Sequence, residues 1–130
     1  MRKRNQAGFT LVEIMIVVAI IALLAAIAIP NLLRARISAN DAMAQGTLRS
    51  MSTASETFGT GNNGNYPADF TSLVAATPPY IATNYCGVNR AGYAFTCGMD
   101  TTGYTFIATP INVGTTGTTV YTMTTGGLLQ

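Results

Sequence analysis

The sequence predicts an α+β protein. One long, kinked N-terminal helix, apolar in its first half and amphipathic in its second, packs on a small antiparallel β-sheet of three to four strands. Three observations carry this expectation. From Ile14 to Ile29 no side chain is polar. Leu33, Ile37, Ala44, Leu48, Met51 and Phe58 then recur at helical spacing. Beyond Tyr80, β-branched and aromatic residues alternate between glycines.

The helix is expected over residues 9–58, with 9–29 as its apolar part. Counted from Phe9, Thr10 and Glu13 are the only polar members of that run. About 20 apolar residues cross a bilayer core, so the run is long enough to span. Arg2, Lys3 and Arg4 precede it, which predicts a cytoplasmic N-terminus and an exported remainder. A secretory signal peptide would have a shorter apolar stretch, followed by a small-residue cleavage site. Here Asn31-Leu32-Leu33-Arg34-Ala35-Arg36 continues in helical character. Pro30 removes one helical hydrogen bond and is expected to kink the helix. Gly59-Thr60-Gly61-Asn62-Asn63-Gly64 is expected to stop it. The string Gly59-x-Gly61-x-x-Gly64 imitates a dinucleotide fingerprint. It follows a helix, whereas that motif needs a strand before it and a helix after.

Residues 59–130 form the expected globular head. A connecting αβ-loop runs from Tyr66-Pro67 to Pro78-Pro79, with one short helical turn around Phe70, Leu73 and Val74. Strands are expected around Tyr93–Cys97, Tyr104–Ile107 and Val120–Met123. Eleven of residues 101–125 are threonine, as suits a solvent-facing sheet. Cys86 and Cys97 are the only cysteines. An even count in an exported segment argues for one disulfide, with Asn89-Arg90-Ala91-Gly92 as the hairpin turn between them.

Composition argues against catalysis. The chain has no histidine and only five carboxylates, so imidazole is not available as base or ligand. No acidic pair has catalytic spacing, and no metal site or cofactor is expected. Only 9% of residues are charged, against roughly a quarter in ordinary soluble domains. Arg90 is the one cation of the head, so specific nucleic-acid binding is not expected either. The eleven aromatic residues (five Phe, six Tyr) are read as core and loop packing.

The most specific stretch is Arg2-Lys3-Arg4-Asn5-Gln6-Ala7-Gly8-Phe9-Thr10-Leu11-Val12-Glu13. A short basic leader ends in glycine, and Phe-Thr-Leu-Val-Glu opens the apolar helix. This resembles the type IV pilin and type II secretion pseudopilin superfamily, closely over residues 1–58 and more loosely through the head. The resemblance implies a leader at 1–8, cleavage between Gly8 and Phe9 by a prepilin peptidase, and N-methylation of Phe9. It implies that Glu13, fifth in the mature chain, serves assembly together with Phe9 and Pro30. The implied function is a structural subunit that polymerises into a type IV pilus for adhesion, motility or uptake. The implied partners are further copies of the chain, the processing enzyme and an inner-membrane assembly machinery. The subunit would be single-pass in the inner membrane, then part of an extracellular filament. The alternative is a type II secretion pseudopilin. Major pseudopilins resemble one another in an acidic, calcium-binding C-terminal loop, whereas here Asp100 is the only acid after Asp69.

Glu13 also has a physical reading. A buried charge needs a partner. No basic residue lies between Arg4 and Arg34. The cation within reach after cleavage is the Phe9 α-amine, on the same or an adjoining subunit.

Overall fold

The structure, a computed structural model, describes residues 8–130. The basic residues Arg2, Lys3 and Arg4 lie outside the described residues, as does most of the expected leader. The elements are α1 (Leu11–Gly61), α2 (Thr71–Ala75), β1 (Asn89–Arg90), β2 (Tyr93–Asp100), β3 (Gly103–Pro110), β4 (Tyr121–Thr124) and β5 (Leu128–Leu129). The chain divides into two compact units, Met1–Arg34 and Ala35–Gln130.

In the first unit, α1 is helical from Leu11 onward, and the helical assignment runs through Pro30. Pro30 has no N–H to offer the carbonyl four residues before it, that of Ala26.

In the second unit, α1 meets a five-stranded sheet of order β1-β2-β3-β4-β5, antiparallel at every step. The expectation was three to four strands. β1 and β5 add to it, each two residues long. Strands that short show no period-2 pattern, and only their pairing defines them. β1 joins β2 through Ala91 and Gly92, with Arg90 opposite Tyr93. Both turn residues have positive φ, 48° and 77°, as a two-residue type I′ hairpin needs.

Ala44, Leu48, Met51 and Ala54 of α1 pack against Tyr93, Phe95, Tyr104, Phe106, Ala108 and Met123 of the sheet, with Phe70 and Leu73 closing one side. Of the expected helical stripe, Ala44, Leu48 and Met51 are buried, whereas Leu33 remains exposed. β3 alternates strictly, with Tyr104, Phe106, Ala108 and Pro110 turned inward. Phe106 is central: Tyr104 stacks on it at 4.8 Å and Phe70 meets it edge-on at 5.7 Å between centroids. Such pairs add about 0.5–1.5 kcal/mol each beyond burial.

The helix ends at Gly61, within the Gly59–Gly64 stretch expected to stop it. Gly59 packs closely: a Cβ there would sit 3.3 Å from the Tyr66 ring. The chain turns later, where Asn63 and Gly64 take positive φ and the Gly64 N–H bonds to the Gly59 carbonyl. The expected disulfide is present, Cys86–Cys97, with Cα atoms 5.5 Å apart. It ties the segment before β1 to β2, and closing such a loop contributes roughly 3 kcal/mol in the chain-entropy account.

A polar clamp crosses this core. Glu56 Oε1 accepts from the Tyr104 hydroxyl (2.7 Å) and the Gly126 N–H (2.8 Å), and Oε2 accepts from the Tyr66 hydroxyl (2.9 Å). One carboxylate thus joins α1, the αβ-loop, β3 and the β4–β5 turn. Burial pushes its pKa up, but the Tyr104, Gly126 and Tyr66 donors together hold it below the ordinary value of 4.5. Partial burial and the carboxylate push the Tyr104 hydroxyl up to about 12. A depressed carboxylate stabilises fully above its unfolded pKa and loses that effect as pH falls through its folded value. Glu56→Gln is therefore expected to cost on the order of 1–2 kcal/mol near neutrality. The gap to the parent chain should close as the pH falls below the ordinary carboxylate value and through the lowered one of Glu56. Denaturant titrations of both chains across that range check this; a gap independent of pH would contradict it.

Candidate functional site

The residues singled out by the sequence fall into both units. Gly8, Phe9, Glu13 and Pro30 belong to the first, and Cys86 and Cys97 to the second. The disulfide is a structural tie within the second unit.

Gly8, Phe9 and Thr10 precede the helix in non-helical backbone. A Cβ added at Gly8 would meet nothing within 4 Å, so packing among the described residues does not require glycine there. Phe9 is 84% exposed. Thr10 occupies the helix-capping position, a role absent from the sequence reading. The Glu13 N–H bonds to Thr10 Oγ1 at 3.2 Å. In return, Glu13 Oε2 accepts from the Thr10 N–H at 2.7 Å and from its hydroxyl at 2.8 Å. This is a capping box, in which two ends of the first turn satisfy each other's donors. The Thr-x-x-Glu spacing was legible in the sequence and could have revealed it. The carboxylate therefore has partners inside its own helix turn. Both local bonds go to Oε2. Among the described residues, Oε1 accepts no hydrogen bond.

From Leu11 to Ile29 every large apolar side chain is exposed. The most apolar window of α1 has a mean hydropathy of 3.0 and none of it is buried. It is one helix long and apolar enough to cross a membrane. Among the described residues none covers this surface.

The second unit holds one more polar group that sequence reading missed. Tyr93 donates to Asp41 Oδ1 at 2.6 Å and to the Thr119 carbonyl at 3.0 Å. Its pKa is raised, first by burial and then by the Asp41 carboxylate. Nothing local marks Asp41 and Tyr93 as partners, because 52 positions separate them. Among the described residues no group of three or more His, Cys, Asp or Glu could hold a metal ion. The charged and polar clusters are arranged to hold elements together.

The capping box predicts a local effect. Thr10→Val keeps the shape but removes the hydroxyl, and loss of such a cap costs about 1 kcal/mol. The Glu13 amide should then exchange about fivefold faster in detergent, while Thr10→Ser should match the parent. Equal protection in Thr10→Val would show that the cap does not hold the first turn.

Comparison with known proteins agrees with this geometry. The prokaryotic N-terminal methylation motif matches residues 3–29. The chain is 36% identical over 111 residues to the type IV wide pilus major component PilA4 of Thermus thermophilus, covering 82% of this chain and 84% of that protein. It is 49% identical over 55 residues to the type IV major pilin protein PilA of Myxococcus xanthus, covering 42% of this chain but 24% of that protein. It is also 37% identical over 93 residues to the type II secretion system core protein G of Escherichia coli, 68% of this chain and 61% of that one. No solved structure matches significantly. The leader motif, the uncovered apolar first part of α1, the antiparallel sheet packed on its later part, and the two-thirds-and-more coverage of a pilin place the chain in one family: it belongs to the type IV pilin and type II secretion pseudopilin superfamily.

Proposed function

We propose that this chain is a structural subunit that polymerises into a type IV pilus. The observation that carries the reading is the apolar helix from Leu11 to Ile29, whose surface its own chain leaves uncovered. Such a surface needs lipid or other helices on every side. In the membrane the subunit is single-pass, with its N-terminus in the cytoplasm and its head exported. In the filament the same surface packs against equivalent helices, and the head, Gly59 onward, forms the outside.

The leader 1–8 is removed between Gly8 and Phe9 by a prepilin peptidase, which also methylates Phe9. The open space around Gly8 supports this, since the demand for glycine then comes from the enzyme's site and not from the fold. After cleavage, Glu13 has two duties. Oε2 caps its own helix, while Oε1 receives the α-amine of Phe9 from an adjoining subunit. That pairing fixes the axial step, because each helix docks only where an amine meets a carboxylate. Pro30 frees one carbonyl and lets the helix bend as it packs. The inner-membrane assembly machinery is the remaining partner. No catalytic residue is assigned. The chain also shares 37% identity with a secretion core protein G, which supports a pseudopilin as second reading. The head's carboxylates favour the pilus: Asp100 accepts from Thr102 and the Gly103 N–H in its own turn and belongs to no acidic cluster.

Glu13→Gln tests the proposal. The variant should insert, be cleaved and form the Cys86–Cys97 bridge, yet yield at least about tenfold fewer filaments, a change equivalent to the loss of one charge-assisted contact. Parent filaments should contain Phe9–Gln130 plus one methyl group by intact mass. Normal filament numbers with unchanged subunit spacing in Glu13→Gln would refute the assembly role.

A further inference from the structure

The segment Ile111–Val120, between β3 and β4, contains no charged residue and exposes Ile111, Val113 and Val120, with Val113 75% accessible. It is not a loose loop. Asn40 Nδ2 donates to the Thr116 carbonyl at 2.8 Å, and Thr118 Oγ1 donates to Asp41 Oδ2 at 3.4 Å. The Tyr93 hydroxyl donates to Asp41 and to the Thr119 carbonyl. The Ile111 N–H bonds to the Gly92 carbonyl, and the Gly114 N–H to that of Gly117. Backbone packs so closely that a Cβ at Gly92 would lie 2.6 Å from the Thr116 Cβ, and one at Gly117 would overlap the Tyr93 hydroxyl. Three aliphatic side chains are thus held outward on a rigid support, with nothing in the unit to cover them.

The place of this support suggests its partner. The unit Ala35–Gln130 receives the chain at Ala35. Asn40, the first residue of α1 in that unit to hydrogen-bond outside the helix among the described residues, is five positions further on, about 8 Å along the helix. Within this unit the loop therefore packs at the N-terminal end of its stretch of α1, where the chain enters. Arg36, exposed on α1, is one turn before Asn40. The nearby carboxylate, Asp41, already accepts from Tyr93 and Thr118. Exposed aliphatic groups without charge, on a unit whose helix carries the exposed Arg36, match the chemistry of the bilayer interface, where apolar side chains meet the acyl boundary and Arg meets phosphate.

We infer that Ile111, Val113 and Val120 form a membrane-resting surface, by which the head of the unassembled subunit docks on an anionic phospholipid bilayer. The inference rests on the membrane-anchored reading above and adds a second contact to it. Docking would hold the head against the membrane until assembly lifts it away.

The chain has no tryptophan, so Val113→Trp supplies a unique reporter. Thr101→Trp, in the β2–β3 turn, serves as the control, and Val120→Trp as a second reporter should Val113→Trp fail to form the disulfide. Each full-length variant is reconstituted at low density in phosphatidylethanolamine–phosphatidylglycerol vesicles with brominated acyl chains. Tryptophan at 113 should be blue-shifted and quenched about twofold by the brominated lipid, while that at 101 should stay aqueous. If the chain floats with the vesicles but the 113 reporter stays as aqueous as the 101 control, docking is refuted and the anchor reading stands. Shielding that appears only as subunit density rises would mean that a second copy covers the loop, which also overturns the lipid assignment. A chain that does not float would overturn the anchor reading, and docking with it.

Discussion

The rest of the molecule depends on an imbalance of surface. The helix from Leu11 to Ile29 presents apolar side chains all round, and the head is built on the other part of the same helix. Among the described residues nothing hides the first half. Exposed apolar area costs roughly 25 cal/mol per Å², and a segment of this length carries far more of it than the few kcal/mol by which domains are stable. An external apolar environment is thus a condition of existence in every state. A bilayer meets it for a single subunit, and a bundle of like helices meets it for many. Proposed assembly is then an exchange of one apolar surrounding for another. Its selectivity has to come from the few polar groups present, above all Glu13.

The head answers a different problem. Its core is small, and its sheet has two edge strands of two residues each. It compensates with long-range polar ties that converge on the helix. Glu56 gathers the αβ-loop, β3 and the β4–β5 turn; Asp41 and Asn40 gather β2 and the segment after β3. The disulfide constrains the part that neither tie reaches. Buried hydroxyls on the helix face obey the same rule. Ser52 meets the Tyr104 hydroxyl at 2.7 Å, while Ser55 and Thr47 bond to carbonyls one turn back, so none is left unsatisfied.

Features written in local patterns were legible in the sequence. The apolar run, the disulfide and the Ala91-Gly92 hairpin each rest on composition or on neighbours a few residues apart. The capping box was equally local, but Glu13 had been weighed as a charge in need of a cation, which hid its use as an acceptor for Thr10. The Gly59–Gly64 stretch marked the end of the helix, but the close contact of Gly59 with the Tyr66 ring was not written in any local pattern. β1 and β5 were missed because two residues cannot show a period. The Glu56 and Asp41 ties join residues some fifty positions apart, and no spacing rule reaches that far. The same holds for the Ile111–Val120 support: its apolar residues were visible, but its rigidity comes from Asn40 and Tyr93.

The central claim is that one apolar helical surface, uncovered within its own chain, is covered by copies of itself in the assembled state. Electron cryomicroscopy of purified filaments at side-chain resolution measures this directly. The account predicts Leu11 to Ile29 at the filament axis, each side chain packed on the same segment of neighbouring subunits, with Glu13 facing the amine of an adjoining Phe9. Filaments in which that segment lies on the outer surface, or is missing from the subunit, would contradict it.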